Sequence, residues 1–219
     1  MLKTNIRFRA AATMLIALAP ASAPISALVL APVGLAALAS RAQAQTSAAA
    51  FVQALTTRLT AVVNGSGSAA DKKTAILPML NEDVDVDAIG RFCLGRFWRT
   101  ATPAQQQRYL TLFHQVLVNS ITGKLGDYKG VSITTGSATV QDGKSSVPTV
   151  ITRPGQPTAN VQWLVSSESG SPKVVDIVAE GVSLSLTQRS DYASYLAHNG
   201  NNVDALLNAL SRQVSRTAS

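Results

Sequence analysis

Asn160-Val161-Gln162-Trp163-Leu164-Val165-Ser166 decides the fold class of this 219-residue chain. Side chains of a strand alternate between faces, so Val161, Trp163 and Val165 share one side and Asn160, Gln162 and Leu164 the other. β-branched and aromatic residues at period two are the composition of a strand. Working outward, Val131–Thr134, Ser146–Arg153 and Lys173–Ala179 have the same habit. Asp142-Gly143, Pro154-Gly155 and Ser169-Gly170-Ser171-Pro172 separate them. Short turns at that spacing favour antiparallel hairpins. In the last strand Val175 and Ile177 face one way and Val174, Asp176 and Val178 the other, so both faces read as largely covered.

Helical periodicity flanks this region on both sides. Phe51, Leu55, Leu59 and Val62 recur at spacings of four and three, which predicts a helix over 47–63. Asn64-Gly65-Ser66-Gly67-Ser68 ends it as a loop. A second helix fits about 70–80, with Pro78 limiting its end. Asp85 or Asp87 caps the next one, which carries Ile89, Phe92 and Cys93. Thr102-Pro103 opens a helix to about Leu125, with threonine at the cap and proline at the first helical position. Its apolar arc is broad, taking in Tyr109, Leu110, Leu112, Phe113, Val116, Leu117 and Ile121, so it is contacted on several sides. Two helices close the chain, near 187–196 and 203–214. Helices, then an antiparallel sheet of about four strands, then helices make one α+β domain, in which the broad helix is either the central core element or the wall of an internal cavity.

The first 44 residues have a different logic. Lys3, Arg7 and Arg9 precede a long alanine-rich run closed by Arg41-Ala42-Gln43-Ala44. A basic start, an apolar stretch and a small-x-small site predict an export signal cleaved after Ala44. Pro20, Pro24 and Pro32 argue against a membrane anchor. The whole chain has 19 Lys and Arg, 12 Asp and Glu, and a net charge of +7. The signal holds four basic and no acidic residues, leaving 15 and 12 and a net +3 in residues 45–219. Much of the basicity thus belongs to export, and nucleic-acid binding loses its main support.

Groups with reactive chemistry are sparse. Cys93, the one cysteine, sits between Phe92 and Leu94 and reads as a small buried hydrophobe. His114 and His198 have no second ligand at metal spacing, and His198 suits a helix end. The run Glu82–Asp87 lacks the glycine and distal glutamate of a calcium loop. No nucleophile elbow, phosphate loop or dinucleotide fingerprint occurs. An exported domain with a wide apolar helix and a two-sided sheet points to binding of an apolar ligand. Each methylene costs about 0.8 kcal/mol to hold in water, so a long lipid needs a carrier. Two other classes stay open. One is an interaction module with a filled core, and the other is a small hydrolase using His114 with Asp176 or Glu180.

Two blocks of sequence narrow the choice. The first is Leu94-Gly95-Arg96-Phe97-Trp98-Arg99, then Ala101-Thr102-Pro103-Ala104-Gln105 and Phe113. The second is Asp176-Ile177-Val178-Ala179-Glu180-Gly181-Val182-Ser183-Leu184 with Arg189-Ser190 and Tyr192. In this order they resemble the signature blocks of the MlaC/toluene-tolerance family, over nearly all of the chain past the signal. The resemblance implies a periplasmic carrier in which a curved sheet and the surrounding helices enclose an internal apolar pocket, and with so little reactive chemistry the expectation is a monomer without metal, cofactor or catalysis. It would pass phospholipid between an outer-membrane lipoprotein complex and an inner-membrane ABC transporter complex. A branch of the family associated with hopanoids makes a hopanoid the other cargo. Pro172 and Val175 stand where the family usually has aromatics.

Carried onto this sequence, the resemblance places Tyr109, Phe113, Val116 and Leu117 in the pocket from the central helix. Val161, Trp163, Val165, Val175 and Ile177 would come from the sheet, and Val182, Leu184, Tyr192 and Leu196 from the last part. Arg96, Arg99 and Arg189 would meet a phosphate headgroup or a partner surface, with at least one pairing Asp176 or Glu180.

Overall fold

The computed structural model describes residues 33–123 and 128–217, so residues 1–32 of the expected export signal lie outside the described residues. Helix α1 runs Val33–Asn64, and the first buried side chain described on it is Ala48. Val52, Leu55, Thr56 and Val63 are its buried residues further on, with Phe51, Leu59 and Val62 half-buried beside them. The expected stripe is therefore present but turned by about one residue. Asn64 ties the helix end to the start of the sheet: its side-chain amide donates to the Val131 carbonyl at 2.9 Å and its carbonyl accepts from Gly130 N at 2.8 Å.

Helix α2 (Ala69–Asp83) starts in a capping box of Ser68 and Asp71. It continues past Pro78, which the sequence reading placed near its end. Proline removes one helical hydrogen bond. Here the exposed Pro78 is flanked by Ile76 and Leu80, both buried, and the final turn is held by Asp83, which meets Arg58 of α1 at 2.6 Å. Asp85 caps α3 (Val86–Leu94) by accepting from Ala88 N at 3.0 Å. The acidic run is thus used in an ion pair and a cap. A 3-10 turn (Gly95–Arg99) leads to α4 (Pro103–Thr122), opened by a capping box of Thr102 and Gln105. After the sheet come α5 (Leu184–His198) and α6 (Val203–Thr217). Among the described residues no helix is long and apolar enough to cross a membrane.

Among the described residues the sheet has six strands, all paired antiparallel: β1 (Ser132–Thr135), β2 (Thr139–Gln141), β3 (Lys144–Thr152), β4 (Ala159–Ser166), β5 (Lys173–Ala179) and β6 (Val182–Ser183). Their order is β1-β3-β4-β5-β6, with β2 also on β3. β2 and β6, of three and two residues, are too short to show a period and were not expected. Val147 faces Trp163 and Thr149 faces Val161, so Ser145, Val147, Thr149 and Ile151 share the inner face with Val161, Trp163 and Val165. Between β4 and β5 the register changes: Leu164 pairs with Asp176 but Val165 with Val174. Val175 is the extra residue of a β-bulge, and a bulge resets the alternation of faces. Val174, read from the sequence as facing away, is buried with the inner face beside Ile177.

From residue 34 onward the described residues pack as one compact unit, and among them are three apolar clusters. The first comes from α3, the 3-10 turn, α4, α5 and α6, with Ala101 from the connection before α4. The second joins α1 to the inner face of the sheet, and the third joins the ends of α1 and α2 to α4 and β1. Val84 touches all three, and it bridges to Val174 while Asp85 N donates to the Val174 carbonyl at 2.9 Å.

Candidate functional site

The pocket residues inferred from sequence fall into two places. Val161, Trp163 and Val165 form the floor of the sheet-side cluster, with Ile177 packed on its margin. Opposite them stand Ala48, Val52 and Leu55 of α1, with Val147 and Val174 beside them. Sequence reasoning did not assign these five to the site. Val52 and Val174 carried a signal only in hindsight, since one lies a residue off the periodic stripe and the other beyond a bulge. The face has one polar fixture. The Trp163 indole N–H donates to Thr149 Oγ1 at 3.0 Å, and that hydroxyl donates to the Val161 carbonyl at 3.1 Å. A buried indole nitrogen thereby has its partner, and apart from Ser145 at one end the rest of the face is hydrocarbon.

Tyr109, Phe113, Val116, Tyr192 and Leu196 belong to the helical cluster, with Leu117 packed against it. Tyr109 stacks tilted on Phe113 at 5.7 Å and edge-on to Tyr192 at 6.2 Å. Its hydroxyl donates to the Gly90 carbonyl at 2.9 Å, and burial pushes both tyrosines well above the ordinary phenol range. The structure thus divides the inferred set between two clusters. Val175 is half-buried at the bulge, while Val182 and Leu184 are 55% and 51% exposed.

The carboxylates of the second block hold the chain together. Asp176 Oδ1 accepts from Ile177 N at 2.8 Å and from Ser185 N at 3.1 Å, and Oδ2 accepts from the Ser183 hydroxyl at 2.5 Å. Glu180 sits in the β5–β6 turn at φ +48°, followed by Gly181 at +81°. Its side chain accepts from Asn160 N, and its own N–H donates to the Asn160 carbonyl at 2.9 Å. Backbone and serine, rather than the expected arginine, are the partners of both groups. The adjacent Cys93 thiol is 1% exposed and donates to the Ser185 carbonyl at 3.6 Å. Burial and then the Asp176 charge raise it from 9.0 to about 12, against an opposing pull from Arg189. At that value the nucleophilic thiolate is scarce near neutral pH. His114 is half-buried on α4, and His198 lies in the last turn of α5, where a cation suits the helix dipole.

Arg96, Arg99 and Arg189 are brought together. With Arg91, Phe92 and Gly95 they line a surface concavity of about 250 Å³. A second concavity, about 390 Å³, lies at Arg212 and Arg216 on α6. Neither includes the sheet-side residues, which are in mutual contact.

Comparison with known proteins bears on this arrangement. The MlaC protein family matches residues 41–212. The toluene tolerance protein ttg2D of Pseudomonas putida is 27% identical over 144 residues, covering 65% of this chain and 67% of that protein. The structure of a phospholipid-binding protein from Ralstonia solanacearum, in complex with a phospholipid, superposes with a TM-score of 0.70 at 22% identity. The match covers 79% of this chain and 99% of that one.

Proposed function

Since the chain belongs to the MlaC protein family, we propose that it is a periplasmic phospholipid carrier, exported by a signal cleaved after Ala44 and working without catalysis. It passes one lipid at a time between an outer-membrane lipoprotein complex and an inner-membrane ABC transporter complex. The acyl chains lie between α1 and the inner sheet face, parting Val52 and Leu55 from Val161, Trp163 and Val165. The observation that carries this reading is that facing pair of apolar surfaces, in a fold shared with a protein that holds a phospholipid. Enclosing the chains there returns about 0.8 kcal/mol per methylene otherwise spent in water. Asp176 and Glu180 being engaged by backbone and serine supports the non-catalytic part.

Native mass spectrometry of protein purified from the envelope without detergent tests it. The expected mass is that of a chain beginning at Gln45 plus one phospholipid, with the increment removed by solvent extraction. A hopanoid increment would keep the carrier and replace its cargo. A lipid-free mass throughout would overturn the reading.

A further inference from the structure

The arginine concavity carries a separate conclusion. Arg91, Arg96, Arg99 and Arg189 come from α3, the 3-10 turn and α5, and converge around Phe92 and Gly95. Like charges repel, so four guanidinium groups gathered in one hollow need a structural cause. Three are laid over aromatic rings: Arg189 over Phe92 at 4.9 Å, Arg96 over Phe97 at 4.8 Å and Arg91 over Trp98 at 5.4 Å. Gly95, at φ +61°, completes the arrangement. A Cβ there would stand 3.1 Å from Arg189 Nε and 3.3 Å from its Cζ, so glycine lets that guanidinium lie against the backbone.

The charge is largely unanswered. Asp87 lies 3.7 Å from Arg91, an exposed pair one helical turn apart. Among the described residues no carboxylate is within ion-pair distance of Arg96, Arg99 or Arg189. A guanidinium stacked on a ring keeps its edge N–H groups available, and that edge matches the oxygens of a phosphate. We infer that this hollow is a binding site for a phosphate-class oxyanion, separate from the apolar faces that would take acyl chains. The same chemistry serves a free phosphate or the phosphate of a lipid headgroup at a membrane surface.

Protein purified from the envelope is titrated with inorganic phosphate, following the arginine Nε–H resonances by nitrogen-15 NMR, with chloride at matched ionic strength as the blank. Vesicles of phosphatidylglycerol are tested in parallel by co-sedimentation. Saturable movement of the Arg189 resonance assigns the site to a free anion. Co-sedimentation without that movement assigns it to the headgroup. In either arm Arg96→Gln and Arg189→Gln each weaken binding about tenfold, the loss of one charge-assisted contact, while Arg212→Gln with Arg216→Gln leaves it unchanged. Circular dichroism confirms that these exposed substitutions keep the fold. No response in both arms, or equal losses in the α6 control, overturns the site. Lipid content of the same samples keeps the two proposals apart. Lipid present without anion binding sinks only the site, and anion bound without lipid sinks only the carrier.

Discussion

The Ser183 hydroxyl donates to Asp176 Oδ2 at 2.5 Å while accepting from Leu186 N at 3.1 Å, so one serine caps α5 and anchors it to β5. Asp176→Ala would strand the Ser185 N–H and the serine together. A loss of about 2–3 kcal/mol follows, because hydrogen bonds to charged groups are the stronger kind and orphaned donors are costly. Ser183→Ala costs about 1 kcal/mol, the usual value of a cap. The double variant falls short of the sum, since the two share one interaction. Urea unfolding of the four proteins checks this, and strict additivity would refute the shared anchor.

Bulk added to the two clusters has different consequences. Val161 faces α1 across the sheet-side cluster, and Val116 lies in the helical one. Val161→Trp leaves a folded protein whose envelope preparation has lost its lipid increment. Val116→Trp keeps the increment and lowers stability by about 1–3 kcal/mol, the ordinary cost of overpacking. Native mass spectrometry beside thermal unfolding reads both, and lipid loss from Val116→Trp alone would move the cargo to the helical cluster.

Gly90 is held between two neighbours. A Cβ at this position would meet Leu110 Cδ2 at 3.0 Å and Phe113 Cδ1 at 3.1 Å. Gly90→Ala is expected to cost about 1–3 kcal/mol through forced repacking. Tyr109→Phe removes only the hydroxyl bond to the Gly90 carbonyl and costs about 1 kcal/mol. Denaturant midpoints should rank the variants in that order.

The Cys93 thiol, raised from 9.0 to about 12, makes stability depend on alkaline pH. In the unfolded chain the thiol ionises first, so between these values the unfolded state binds fewer protons and stability falls as pH rises. The contribution is intact below pH 9.0 and lost toward 12. Cys93→Ala should flatten that limb of the pH profile. Labelling by a thiol reagent at neutral pH should proceed only as fast as the protein unfolds.

The α+β order, the Thr102 cap and the long strands were legible because each rests on local chemistry. The Val161–Trp163–Val165 face was legible for the same reason: a buried face alternating with the wetter face of Asn160, Gln162 and Leu164 imposes a strict period. Val174 and Val175 exchanged places because a bulge is set by the partner strand, which the period of β5 alone does not contain. Tyr109 and Val161, grouped together by the sequence, lie in separate apolar clusters, since periodicity reports burial and not the neighbour. The three assigned arginines do converge, yet their bracing by Phe92, Phe97 and Gly95 depends on how α3 meets α5.

Along its outer side β3 is bordered by two short strands in line rather than one long one, β1 over Thr149–Thr152 and β2 over Lys144–Ser146. Pro148, without an N–H to offer, stands where one gives way to the other, its carbonyl accepting from Gly136 N at 2.8 Å. A row of free backbone groups on an apolar sheet is a template on which further copies stack into fibres, and interrupted edges deny it. An edge broken in this way, with a proline at the break, is a poor surface on which a second copy could extend the sheet.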